Sequence, residues 1–69
     1  MTDPPVEVYR RGDSWVTRHL SDVWLCCALC GRTVSPGKPY YEAQGKLFSA
    51  QLCAGHGVDE VFDFVDYGN

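Results

Sequence analysis

The sequence predicts a small α+β domain, two short β-hairpins followed by a C-terminal helix, stapled by a metal ion. Three observations carry that expectation. The chain has 69 residues, 45% of them hydrophobic, which allows one domain and no second core. Four residues are cysteines, and three of them fall in two ligand-like pairs: Cys27-Ala28-Leu29-Cys30 and, after 22 intervening residues, Cys53-Ala54-Gly55-His56. The last segment repeats its apolar side chains at helical spacing. A chain this short seldom buries enough apolar surface to offset its conformational entropy and commonly adds a staple.

Residues 1–5 read as a disordered, proline-containing lead-in, and residues 6–69 as a single domain, with residues 6–22 an N-terminal hairpin extension and residues 23–67 the metal-bearing unit. Val6 to Tyr9 and Ser14 to Arg18 are β-favouring runs around Gly12-Asp13, a hairpin turn. Val23 to Cys27 reads as a strand running into the first ligand pair. Thr33 to Pro39 is turn chemistry. Tyr40 to Ala43 and Lys46 to Ser49 flank Gln44-Gly45 as a second hairpin, with Gly45 expected to supply a positive φ. Tyr40, Tyr41 and Phe48 offer an apolar face, of which at least two are expected in the core. Val58, Val61, Phe62 and Val65 fall at i, i+3, i+4 and i+7, one face of a helix over 58–67, with Asp59, Glu60, Asp63 and Asp66 placed on the opposite arc. Gly57 starts this helix and Gly68 stops it.

Two disulfides would also use four cysteines. Three of them lie within five residues, however, and the chain opens without a charged-then-apolar secretion signal, so a reducing, cytoplasmic setting is expected. Two pairs with two-residue spacers instead supply three thiolates and one imidazole, a tetrahedral set suited to one structural Zn²⁺. The expected ligands are Cys27, Cys30, Cys53 and His56. Cys26 could stand in for Cys27 through a three-residue spacer; otherwise it is expected in the core. His19, the other imidazole, is expected to face solvent or a hydrogen-bond partner. Gly31 after Cys30 frees the turn there. With four ligands the site has no open position for water, and no enzyme activity is expected.

A C-x-x-C-G knuckle, a turn, a hairpin, a second ligand pair and a helix, in that order, resembles the treble-clef class of zinc fingers, including single-zinc modules of the LIM and GATA type. The likeness runs from about Trp24 to Tyr67. It is carried by Cys27, Cys30 and Gly31, by Val34 and Gly37 before Tyr40-Tyr41, and by Cys53 and His56. The resemblance implies that Cys27 and Cys30 sit in the knuckle and Cys53 and His56 at the start of the helix. Gly55 and Gly57 depart from that pattern and allow the helix to begin after the ligands. The class includes binders of nucleic acid and of protein, so the likeness does not settle function.

Charge separates the functional readings. Six bases against nine acids leave a net charge of −3, and residues 58–69 hold four acids and no base. Such a chain is a poor general binder of phosphate backbones. The first expectation is a protein-interaction or regulatory accessory module, a monomer presenting Asp59, Glu60, Asp63, Phe64, Asp66 and Tyr67 to a larger protein with a basic surface. The alternative is a nucleic-acid-binding finger that uses Arg10, Arg11, Trp15 and Arg18, where cations interleave with an aromatic. The longest apolar run, Val23 to Leu29, is far short of the ~20 residues that span a bilayer, so no membrane association is expected.

Overall fold

The computed structural model describes residues 7–68. The expected lead-in at residues 1–5 lies outside them. Among the described residues, six strands, β1 (Glu7–Arg11), β2 (Ser14–Leu20), β3 (Leu25–Cys26), β4 (Thr33–Val34), β5 (Pro39–Gln44) and β6 (Ser49–Cys53), precede one helix, α1 (Val58–Tyr67). Strands β1, β2, β5 and β6 form one antiparallel sheet in the order β1-β2-β5-β6, and β3 pairs with β4 in a separate two-stranded unit.

The N-terminal hairpin is an integral half of the sheet. Its turn is Gly12-Asp13 with Gly12 at φ +64°, and the flanking pair is Arg11 with Ser14. A glycine of positive φ at the first turn position suits the right-handed twist of the strands. Strand β2 then pairs along its length with β5, from Trp15 opposite Gln44 to Leu20 opposite Pro39. Alternation puts Val16, Tyr41, Ala43 and Leu52 on one face of the sheet, where α1 covers them. The core joins these residues to Cys27, Val61, Phe62 and Val65.

Helix α1 spans the predicted residues. Val61, Phe62 and Val65 are buried and Val58 partly so, as the 3.6-residue period requires. The extended backbone of Gly57 precedes the helix without a side-chain cap, and Gly68 closes it in the left-handed region, its N–H donating to the Phe64 carbonyl at 2.9 Å. Asp59 and Glu60 in the first turn suit the helix dipole, whereas Asp63 and Asp66 lie toward the end where acids are unfavourable. Arg11 offsets them, with Nη1 2.9 Å from Asp63 and Nη2 3.1 Å from Asp66.

Several expectations are corrected. Asp66 does not face solvent with the other acids: it is 7% exposed, accepts a hydrogen bond from the Ser14 hydroxyl, and accepts another from the Lys46 N–H at 3.0 Å. Lys46 to Phe48 form a loop, and the return strand begins at Ser49. Gly45 is absent from the positive-φ glycines. It is required because a Cβ there would meet the Val65 carbonyl oxygen at 2.3 Å. Of the three aromatics Tyr40, Tyr41 and Phe48, only Tyr41 is in the core. Tyr40 stacks on His19 and Phe48 meets Phe64 edge-on. Cys26 is exposed, not a core residue. The strand expected over 23–27 is confined to Leu25–Cys26, leaving Val23 and Trp24 exposed.

Candidate metal centre

The knuckle is built by its own backbone. Cys27 leaves β3 with its N–H on the Arg32 carbonyl at 2.8 Å and its own carbonyl accepting from Gly31 N–H at 2.9 Å. Closing that turn puts Gly31 at φ +78°, where a side chain would be strained. The Ala28 N–H donates to the Gln51 carbonyl at 3.0 Å, tying the knuckle to β6. That bond brings the first ligand pair toward the second, because Cys53 is the last residue of β6 and His56 immediately precedes the first residue before α1.

One donor atom from each of Cys27, Cys30, Cys53 and His56 lies within 4.8 Å of all the others. The Cys30 and Cys53 sulfurs are 3.7 Å apart, and the Cys27 sulfur is 3.3 Å from His56 Nε2. Tetrahedral zinc with Zn–S of ~2.3 Å and Zn–N of ~2.0 Å sets sulfurs about 3.8 Å apart and sulfur and nitrogen about 3.5 Å apart. These spacings and the chemistry of the donors are compatible with a zinc site, whereas 3.7 Å is far from the ~2.05 Å of a disulfide. Cys26 and His19 stand outside the cluster, and Cys27 is within it.

The donors differ in their electrostatics. Burial pushes the Cys27 thiol up, but the backbone N–H groups of Cys30, Cys53 and Leu29 and the Cys30 thiol together bring it down to about 6. Cys53 is held above the ordinary thiol range, by burial first and then by the neighbouring thiols. For His56, burial disfavours the charged ring, yet the sulfurs of Cys27 and Cys30 and the Glu60 carboxylate leave its pKa raised. Glu60 Oε1 is 2.9 Å from His56 Nδ1. A carboxylate accepting from Nδ1–H leaves the Nε2 lone pair directed at the cluster, the arrangement by which histidine ligands are oriented. Glu60 was expected as a partner-contact acid and not as an orienter of His56; the four-residue spacing from His56 is the signal that could have found it. Cys27 is buried while Cys30 is exposed, and a hollow of about 220 Å³ lined by Cys30, Arg32, Cys53, Gly55 and His56 opens beside the cluster.

The expected contact residues divide. Asp59, Asp63 and Tyr67 lie on the outer side of α1 and are exposed, with Glu60 beside them, whereas Asp66 is internal and Phe64 packs on Phe48. Arg10 and Trp15 oppose each other on the sheet face that α1 does not cover. Arg11 and Arg18 belong to the other face, and Arg11 is occupied by the helix acids. Exposed apolar side chains not anticipated are Leu20 at the end of β2 and Val23 and Trp24, the last 69% exposed, on the loop after Ser21, whose N–H donates to the Lys38 carbonyl at 2.8 Å. Among the described residues, no helix is long and apolar enough to cross a membrane. Comparison of the chain with protein-family models, with curated proteins and with solved structures finds no match.

Proposed function

We propose that this protein is a treble-clef-type finger with one structural zinc, working as a protein-interaction or regulatory accessory module through the outer side of α1. One observation carries the reading. Asp59, Asp63 and Tyr67 stand at i, i+4 and i+8, all exposed, with Glu60 alongside and no base on the helix itself, although Asp63 is paired with Arg11 of β1 and Glu60 with His56. An acidic stripe ending in an exposed aromatic fits a larger protein with a basic surface, the aromatic serving as anchor and the acids as steering charge. Bound zinc would be held by Cys27, Cys30, Cys53 and His56 and would supply folding energy, on the order of 10 kcal/mol, through four protein ligands with no position for substrate.

Two measurements test this. Native mass spectrometry is expected to find one zinc per chain, and its chelation to unfold the domain; a metal-free chain of unchanged stability overturns the structural role. Capture of proteins from cells of the source organism is then compared between wild type and a variant combining Asp59→Lys with Tyr67→Ser, two residues outside the core. Loss of specific proteins with the variant is expected, and an unchanged set removes the stripe from consideration. The Arg10–Trp15 pair on the uncovered sheet face supports the second reading, nucleic-acid binding. That reading requires salt-dependent binding of single-stranded DNA or RNA that Arg10→Ala and Trp15→Ala abolish.

A further inference from the structure

The four-stranded sheet ends on β1, and among the described residues no strand pairs with its outer edge. The two-residue turn determines which backbone groups face that edge. In such a hairpin the pair flanking the turn, Arg11 and Ser14, exchanges hydrogen bonds, and bonded and non-bonded pairs then alternate. Tyr9–Val16 and Glu7–Arg18 are therefore bonded pairs, and the N–H and C=O groups of Val8 and Arg10 point away from β2. We infer that this edge pairs with the same edge of a second copy of the chain, antiparallel and centred on Tyr9, in place of the monomer that size alone suggests.

The register centred on Tyr9 is self-complementary. It sets Val8 opposite Arg10 of the second copy, twice by symmetry, so that the four outward N–H and C=O pairs are satisfied. It sets Glu7 opposite Arg11 of the second copy, an opposite-charge cross-strand pair added to the contacts Arg11 already makes with Asp63 and Asp66. Val8, 56% exposed, gains the aliphatic stem of Arg10 as its neighbour. A register centred on Arg10 would instead place that cation against itself. Charged residues on an edge discourage foreign strands, and here the same charges match the chain's own edge.

The rest of the fold leaves room. Helix α1 packs over β2, β5 and β6. An antiparallel continuation of the sheet keeps both helices on one face. The two β2 strands would then lie three strand spacings apart, about 14 Å, wider than the ~10 Å between packed helices. Pairing five residues covers less than the ~800 Å² per partner of a standard interface, so the dimer is reversible, at micromolar dissociation constants or weaker.

Sedimentation velocity of the zinc-loaded full chain, from micromolar to millimolar concentration, tests the inference. The mass is expected to rise toward that of a dimer. Val8→Pro removes the outward N–H and no bond of the β1–β2 ladder, and is expected to weaken association about 100-fold or more. Glu7→Lys, which leaves the backbone intact and decides the matter if Val8→Pro does not fold, is expected to weaken it about tenfold. In a Cys26→Ser background, Tyr9→Cys sits at a non-bonded pair with Cα atoms ~4.5 Å apart and cross-links on mild oxidation, whereas Val8→Cys does not. A monomer at every concentration overturns the inference. So does a dimer indifferent to both Val8→Pro and Glu7→Lys, or one that Tyr9→Cys fails to cross-link.

Discussion

Gly45→Ala probes how α1 is seated on the sheet. A Cβ at Gly45 would lie 2.3 Å from the Val65 carbonyl oxygen, 2.4 Å from Val65 Cγ2 and 2.5 Å from the Val65 carbonyl carbon, where real contacts stay beyond 3.0 Å. Two of these atoms are helix backbone and cannot rotate aside, so the end of α1 or the β5–β6 loop must move by about 0.7 Å or more. Overpacking of this kind costs about 1–3 kcal/mol. The same movement disturbs the Leu47 N–H to Val65 carbonyl hydrogen bond of 3.1 Å, worth about 1 kcal/mol. Restricting the unfolded chain returns ~0.4–1 kcal/mol. The net loss is about 1–3.5 kcal/mol, a fall of roughly 5–25 °C in Tm for a domain of this size. Thermal and urea denaturation of the zinc-loaded protein, followed by circular dichroism, measure it. Gly12→Ala is the comparison, because its site has a positive φ but no atom within 4 Å, and it should lose about 1 kcal/mol. If Gly45→Ala is no less stable than Gly12→Ala, the helix does not rest on the β5–β6 loop as described and the account of Gly45 is wrong.

Glu60→Gln keeps the size of the side chain but weakens its hold on His56 Nδ1, and zinc affinity measured by chelator competition should fall about 10–100-fold with the helix content of the loaded protein unchanged. Gly57→Ser places a hydroxyl at an uncapped helix start with extended backbone and no atom within 4 Å, and should raise stability by a few tenths of a kcal/mol, to about 0.5, in urea denaturation. Hydrogen bonding from Ser14 foremost, then from the Lys46 N–H and Arg11, holds the Asp66 carboxyl below its ordinary range despite its burial. A depressed carboxylate contributes stability above its unfolded pKa of ~3.9 and loses it as pH falls through the lower folded value. Asp66→Asn should therefore be less stable than wild type by a gap that stays constant from about pH 6 to 8; a gap that opens or closes in that window contradicts the assignment. Adding Arg11→Met to Asp66→Asn should lower stability by less than Arg11→Met does alone, since the two side chains share one network.

The metal set and the helix were legible because both are local. Two-residue spacers bring Cys27 to Cys30 and Cys53 to His56 whatever the remaining chain does, and the valine period names the buried side of α1 without reference to what covers it. Pairings between distant segments left no such trace. Nothing in β2 or β5 announces that Trp15 to Leu20 lie along Pro39 to Gln44, so the N-terminal hairpin reads as an appendage until the sheet is seen. Asp66 shows the limit most clearly. At ~100° per residue it lies only ~40° from Phe62, at the rim of the apolar arc, not opposite it. Whether a rim residue turns out or in depends on what waits inside, and Ser14, Arg11 and the Lys46 N–H come from segments 20 to 55 residues away. Gly45 carries the same lesson for turns. Its position between two apolar runs suggested a φ requirement, while the constraint is the backbone of a helix that begins 13 residues later.

These contacts tie α1 at both ends. Its start follows directly on Cys53 and His56, with Glu60 reaching back to the imidazole. Its end is held by Arg11 and Ser14 on Asp66, by the Lys46 N–H on the same carboxylate and by the Leu47 N–H on the Val65 carbonyl. A ten-residue helix is marginal alone in water, so these ties and the buried Val61, Phe62 and Val65 are what keep it folded. Removal of the proposed zinc would free the first end before the second, so the unfolding expected on chelation should begin at the knuckle and Asp59 before it reaches Tyr67. That order matters for the proposed stripe, since Asp59 and Glu60 are the acids nearest the metal. Edge pairing through β1 would add a second stripe on the same face of the joined sheet. A partner with two basic patches would then meet the second stripe at an effective concentration set by one rigid sheet, gaining affinity from geometry and from no new contact.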